Sequence, residues 1–165
     1  MDNLKERFVF RNILPEEADQ AARIEKICFP PNEACSESMM KERVATAPEL
    51  FLVAIDTENG KMAGFMNGLS TDEAFLRDEF FTNAGLYDPA GKNLMVLGLD
   101  VLPEYRGQGL GRKVMEMAIE FARENNCYKV ILQSASFRKE AHQFYKNLGF
   151  DGESKKAFIM KLKDY

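Results

Sequence analysis

The sequence predicts a mixed α/β fold: a central sheet of six to seven strands with an antiparallel N-terminal part and flanking helices, in one domain over residues 1–165. Two apolar runs, 50–55 and 62–69, flank Glu58-Asn59-Gly60-Lys61, and an Asn-Gly pair between such runs signals an antiparallel hairpin. A nearly unbroken apolar run, 94–101, reads as a strand covered on both faces. It leads through a glycine-rich junction into an amphipathic stretch and a β-rich run at 129–132, the pattern of a parallel crossover. A chain of 165 residues, 45% hydrophobic, is the size of one ordinary domain with a sizeable core.

The elements follow in order. Residues 8–13 form the first strand. Pro15-Glu16-Glu17 opens a helix whose Ala18, Ala22, Ile24, Ile27 and Cys28 recur at helical spacing, and which stops before Pro30-Pro31. A second helix spans 36–46, ahead of the hairpin. The segment 70–93 is too long for a hairpin loop and is predicted to carry a helical stretch over 72–81; excursions of this length are more often functional than idle. After the glycines, Val114, Met117, Ala118, Phe121 and Ala122 make a helical stripe. A helix over 138–148 is stopped by Gly149, and a last pair of strands spans 150–154 and 157–162.

Composition narrows the function. A net charge of −4 and a pI near 5.2 argue against a protein that coats nucleic acid, while leaving room for a local basic pocket. No apolar run approaches membrane-spanning length, and Met1-Asp2-Asn3-Leu4-Lys5-Glu6-Arg7 lacks the apolar stretch of a secretory signal. A cytoplasmic protein with neither nucleic-acid nor membrane partner is expected, as monomer or homodimer. Cys28, Cys35 and Cys127 are odd in number, without metal-type or CxxC spacing, and read as free thiols. His142 is the sole histidine, which leaves little with which to build a zinc site, so no metal is expected.

"LPEYRGQGLG", residues 102–111, places Gly107, Gly109 and Gly111 at every second position. A dinucleotide fingerprint needs G-x-G-x-x-G, which this spacing misses by one residue. A P-loop needs Lys followed by Ser or Thr, and Gly111-Arg112-Lys113-Val114 offers no hydroxyl for magnesium. What survives is a row of backbone N–H groups, Gln108 to Arg112, at a helix N-terminus, where small residues let a diphosphate approach and the helix dipole favours its charge. Arg106 and Arg112 add charge beside it. A ligand-free glycine turn is the alternative that these residues alone leave open.

The stretch "VLGLDVLPEYRGQGLGRKVM" resembles the acetyl-CoA motif of the GNAT superfamily of N-acetyltransferases, whose signature Q/R-x-x-G-x-G/A is matched by Arg106-Gly107-Gln108-Gly109-Leu110-Gly111. Further on, "AHQFYKNLGF" is similar to the family's second landmark, a helix ending in a Tyr followed by Leu-Gly-Phe. The resemblance implies fourth and fifth strands that splay apart, acetyl-CoA as co-substrate, and direct attack of a primary amine on the thioester through a tetrahedral intermediate, with no covalent enzyme intermediate. It places the backbone of Leu99 and Val101 toward the thioester and pantetheine, with the Leu99 N–H a donor to the developing oxyanion. Asp100 and Ser134 join the motif residues, Gly107 to Arg112, on the cofactor side, although strand alternation turns the Asp100 side chain away from Leu99.

Tyr145 matches the family's tyrosine that protonates the departing thiolate; a structural tyrosine is the alternative. Within the superfamily the likeness is to arylalkylamine (serotonin-type) N-acetyltransferases: "CFPPNEACSE" resembles their substrate loop and 70–93 their long insertion. The two histidines that animal members carry on the fourth strand are here Met95 and Leu97. Glu33, in the Pro30-Pro31 loop, is the acid expected to orient or deprotonate the ammonium; a rim carboxylate is the alternative. His142, three residues before Tyr145, either approaches the site or is solvated, and Arg138 either binds a CoA phosphate or faces water. Phe29, Met39, Met40, Phe75, Phe80, Phe81 and Tyr87 favour a small aryl or alkyl amine acceptor, with polyamine, aminoglycoside and protein amines open. A non-catalytic acyl-CoA-binding module is the competing class.

Overall fold

A short helix α1 (Asn3–Arg7), which the sequence does not announce, leads into β1 (Phe8–Asn12) in the computed structural model, which describes residues 3–163. A 3₁₀ turn at Pro15–Glu17 opens α2 (Ala18–Cys28). Helix α3 (Glu37–Thr46) is capped by Ser36, whose hydroxyl accepts the Met39 N–H at 3.2 Å. Strands β2 (Phe51–Asp56) and β3 (Met62–Thr71) form the predicted hairpin, with Gly60 at φ 71° in the turn and Asn59 Oδ1 accepting from the Lys61 N–H. After α4 (Glu79–Thr82) come β4 (Asn93–Val101), α5 (Leu110–Glu124) and β5 (Lys129–Ile131). Helix α6 (Lys139–Asn147) belongs to a second compact unit, which divides from the first between Gln133 and Ser134.

Among the described residues the sheet holds five strands in the order β1-β2-β3-β4-β5, antiparallel throughout except for the parallel β4–β5 pair. It is covered on both faces: residues alternate across β2, and in β3 a bulge between the Ala54–Gly64 and Ile55–Met62 pairs turns Ala63 to the face opposite Phe65. Phe51, Val53 and Phe65 pack with Ala21, Ala22, Ile24, Met40 and Val44 of α2 and α3. On the other face Ala54 and Ala63 meet Phe8, Tyr105 and Leu110, the first residue of α5. No helix among the described residues is long and apolar enough to cross a membrane.

Two expectations fail, for local reasons. The six to seven strands become five because 150–154 and 157–162 form none. Asp151 Oδ1 accepts the Glu153 and Ser154 N–H groups at 2.9 and 3.1 Å, which turns the chain inside the first of these runs. Phe158, Ile159, Met160 and Leu162 of the second are exposed, and β-propensity makes no strand without a partner. The helix expected over 72–81 shrinks to α4. The carbonyls of Glu73 and Leu76 are taken by the side-chain amides of Asn93 and Gln133 at 2.8 and 3.1 Å, and the Glu73 N–H by Thr71 Oγ1, so they are not available to a helical ladder.

Candidate functional site

Strands β4 and β5 pair over three positions only: Asn93 with Lys129, Leu94 with Val130 and Met95 with Ile131. Beyond them β4 continues through 96–101, and no strand among the described residues pairs along that edge. Its other edge stays paired with β3, but the register steps from Gly68 opposite Val96 to Asn67 opposite Gly98, so Leu97 is an extra residue in a bulge. Past the bulge, the Leu102 N–H donates to the Ala63 carbonyl at 2.9 Å. Alternation along an antiparallel strand then turns the peptide groups of Leu99 and Val101 away from β3, to the unpaired edge, while those of Asp100 face Phe65. The Val101 carbonyl accepts from Arg106 Nε at 2.9 Å and from the Cys28 thiol at 3.5 Å.

The glycine segment begins where this edge ends. Tyr105, buried in the 3₁₀ turn Pro103–Tyr105, donates its hydroxyl to Asp56 Oδ2 at 2.6 Å and packs edge-on to Phe8, which fixes the approach to the loop. Gly107 and Gly109 take φ of +79° and +89°, the left-handed region that favours glycine. Gly109 is the N-cap of α5 and has no side chain to cap it; the first ladder bond runs from the Lys113 N–H to the Gly109 carbonyl at 3.1 Å. The N–H groups of Leu110, Gly111 and Arg112 therefore point out of the helix end without a carbonyl one turn back. Gln108 is exposed and Leu110 is buried as the anchor of the turn. Of the two flanking cations, Arg112 donates along its own helix to Glu116 at 2.8 Å, and Arg106 bends back to Val101.

Asp100 lies on the face of β4 that meets α2 and α3. It is 1% exposed, and burial, reinforced by the carboxyl of Glu25 on α2, pushes its own carboxyl well above the usual carboxylate range. Glu25, also buried, holds the Cys35 N–H through Oε2 at 2.8 Å and so tethers the loop that carries Glu33. Arg43 of α3 is buried beneath, donating to Asn67 Oδ1 at 3.2 Å and to the Phe81 carbonyl at 3.0 Å. Sequence reading missed Glu25 and Asn67; on a helix and a strand that look amphipathic and apolar, no local pattern marks them. Glu33 itself is exposed in the turn after α2. Cys28, beside Asp100, is pushed up to about 11, by burial first and by that carboxyl second.

Among the proposed acceptor-side residues, Met40 and Phe80 are fully buried core. Phe29, Met39, Phe81 and Tyr87 are half-buried, the Tyr87 hydroxyl donates to Glu49, and exposed Phe75 lies under the Lys129 ammonium at 5.8 Å. In the second unit, Tyr145 is half-buried on α6 with its ring edge-on to Phe144 and Phe150. His142 Nε2 donates to the Ala135 carbonyl at 2.9 Å, so this imidazole is tied to its own unit rather than simply solvated. The Arg138 guanidinium covers the Phe137 ring at 5.2 Å, and Ser134 is half-buried at the start of the unit.

An open strand edge leading into uncapped helical N–H groups is a cradle for an extended ligand that ends in an anion. Residues 18–150 match the model of the Acetyltransferase (GNAT) family, and the chain belongs to that family. Thialysine N-epsilon-acetyltransferase of Bos taurus is 37% identical over 59 residues, 36% of this chain and 35% of that protein. Mycothiol acetyltransferase of Thermobifida fusca (strain YX) is 33% identical over 106 residues, 63% of this chain and 29% of that protein. The chain thus spans about a third of the length of these curated relatives. An aminoglycoside N-acetyltransferase solved in complex with CoA shares the fold, with a TM-score of 0.70 over 94% of this chain and 95% of that one at 14% identity.

Proposed function

We propose that the chain is an acetyl-CoA-dependent N-acetyltransferase that moves the acetyl group from the thioester directly to a primary amine of a small molecule. The observation that carries this reading is the unpaired edge of β4, which runs past a bulge straight into the helix N-terminus opened by Gly107 and Gly109. The pantetheine arm pairs with that edge as an added strand, and its amides find the peptide groups of Leu99 and Val101. The Leu99 N–H faces the thioester oxygen, where negative charge grows during attack. The diphosphate lies against the N–H groups from Gln108 to Arg112, and Arg106 and Arg112 exchange their present partners for phosphate.

On the acceptor side, Glu33 draws the cationic amine toward the loop after α2. Tyr145, by its resemblance to the family tyrosine, protonates the departing thiolate, and Ser134 contributes to the cofactor side. A small aryl or alkyl amine is the acceptor class preferred, on the likeness of 70–93 to the arylalkylamine enzymes.

Release of the CoA thiol across aryl, alkyl, polyamine, aminoglycoside and peptide amines tests activity and acceptor class together. Turnover with a small amine is expected; a protein that binds acetyl-CoA yet releases no thiol with any amine is instead a non-catalytic acyl-CoA module. Tyr145→Phe is expected to lower kcat by about 10²-fold or more, the usual contribution of a positioned acid, with acetyl-CoA affinity retained. Unchanged rate and pH profile in this variant would remove Tyr145 from the chemistry.

A further inference from the structure

The outer end of the β4 edge and the start of the glycine loop share one side chain. Arg106, exposed and directly before Gly107, reaches back over the turn Pro103–Tyr105 and donates from Nε to the Val101 carbonyl at 2.9 Å. From α2, the Cys28 thiol donates to the same oxygen at 3.5 Å. A carbonyl oxygen has two lone pairs, and these two donors take both. Val101 is the last residue of β4, and the next N–H, that of Leu102, goes to the Ala63 carbonyl on the β3 side. An extended ligand that pairs along this edge needs the Val101 carbonyl as an acceptor, so one of the two donors must leave before the ligand's amide can use it.

The two donors differ in what can remove them. Cys28 is an uncharged, half-buried thiol on a helix, and a diphosphate gives it no reason to move. Arg106 is a cation held by a neutral oxygen, whereas the neighbouring Arg112 already has a carboxylate, Glu116, at 2.8 Å. A diphosphate at the start of α5 offers Arg106 a charged partner that takes the guanidinium fork by two bonds, where the carbonyl takes one.

We propose that Arg106 determines cofactor specificity as a gate: its side chain closes the outer end of the β4 edge until a diphosphate draws it away. The site then admits thioesters of CoA and disfavours the same acyl-pantetheine without its phosphates. This rests on the acetyl-CoA reading and deepens it by coupling the two halves of that site, the edge at Leu99–Val101 and the loop at Gly107–Arg112. A ligand with only the pantetheine arm must break the Arg106–Val101 bond unaided. A ligand that also carries the diphosphate gives the guanidinium a new partner as it gives up the old one. Such coupling is reciprocal, so a diphosphate added separately must tighten binding of the arm.

Calorimetry reads the gate without turnover, using acetyl-CoA, S-acetylpantetheine, and S-acetylpantetheine with saturating inorganic pyrophosphate. The proteins compared are wild type, Arg106→Ala, Arg106→Gln and Cys28→Ala. Glutamine carries its amide nitrogen as many bonds from Cα as arginine carries Nε, so it can keep the bond to Val101 but has no charge for a phosphate to draw. Wild type is expected to bind S-acetylpantetheine weakly, and pyrophosphate to tighten it by about three- to tenfold, the range of one exposed charged hydrogen bond. Arg106→Ala gains the same factor outright and no longer responds to pyrophosphate, and its preference for acetyl-CoA over S-acetylpantetheine narrows. Arg106→Gln keeps the weak binding of wild type, also without response. If Arg106→Ala binds S-acetylpantetheine no tighter than wild type, or if pyrophosphate leaves the wild-type affinity unchanged, the gate is overturned and the acetyl-CoA reading stands. An equal gain in Arg106→Gln would show only the removal of a surface charge, and a gain in Cys28→Ala in place of Arg106→Ala would give the role to the thiol; either overturns the inference alone. A wild type that binds no acetyl-CoA overturns it together with the reading on which it rests.

Discussion

Gly98 and Gly109 are both glycine for different physical reasons: at Gly98 an added Cβ would crowd Asn67 Nδ2 at 3.1 Å and Asp100 Oδ1 at 3.3 Å. At Gly109 the backbone itself requires it: φ is +89°, and an added Cβ would also touch Leu4 Cδ1 at 3.4 Å. Gly109→Ala is expected to cost about 1–2 kcal/mol of stability, the usual penalty of a left-handed L-residue, and to weaken acetyl-CoA at least about tenfold. Urea unfolding and calorimetry read the two effects separately. Loss of stability with intact affinity would show that the turn, and not a diphosphate, demands the glycine. Gly107→Ala carries the same backbone penalty with nothing within 4 Å of its methyl, so the pair compares the same strain at two places in the loop. The glycine loop was legible in the sequence because its signal is local: residues two apart that must all be small. Glu25, Asn67 and Asp100 meet only when α2, β3 and β4 are assembled, and no spacing within any one of them announces the meeting.

At the scale of elements, the β3–β4 pair sets the geometry of the open edge. A Cβ on Gly68 would fall 2.5 Å from the Met95 carbonyl, a backbone atom that cannot turn aside, directly beside the Leu97 bulge. Gly68→Ala is therefore expected to destabilise the protein by about 1–3 kcal/mol, the range for overpacking, and to lower kcat by moving the peptide groups beyond the bulge. Unfolding by denaturant and steady-state rates check both. A variant as stable and active as wild type would mean that β3 shifts without disturbing β4. Most elements were legible because their periodicity agrees with their packing, as in the α5 stripe of Val114, Ala118 and Ala122, all buried. Where the sequence misleads, side chains intervene. Asn93 and Gln133 take carbonyls that a helix over 72–81 needs, and Asp151 folds the chain into a turn where a strand was expected. Such captures depend on residues distant in sequence or on a single aspartate, and hydrophobic patterning is blind to both.

For the whole molecule, two buried carboxyls give opposite responses to pH. The Arg7 guanidinium and then the Tyr105 hydroxyl hold Asp56 at about 2, below the ordinary 3.8. A depressed folded value means that its stabilisation is fully present above the unfolded value and is lost as pH falls from about 3.8 through about 2. Asp100 is raised, so the folded state holds its proton longer than the unfolded one does, and stability falls as pH rises above the ordinary carboxylate value. Melting temperatures measured against pH separate the two. Asp56→Asn should melt well below wild type at neutral pH, and the two curves should converge as acid protonates Asp56 in the wild type. Asp100→Asn should do the reverse: near wild type in acid, its relative Tm rises with pH as the buried charge it replaces would otherwise form. A difference from wild type that is constant across pH would mean that the Asp100 carboxyl titrates alike in folded and unfolded chains, and that its burial beside Glu25 has no electrostatic consequence.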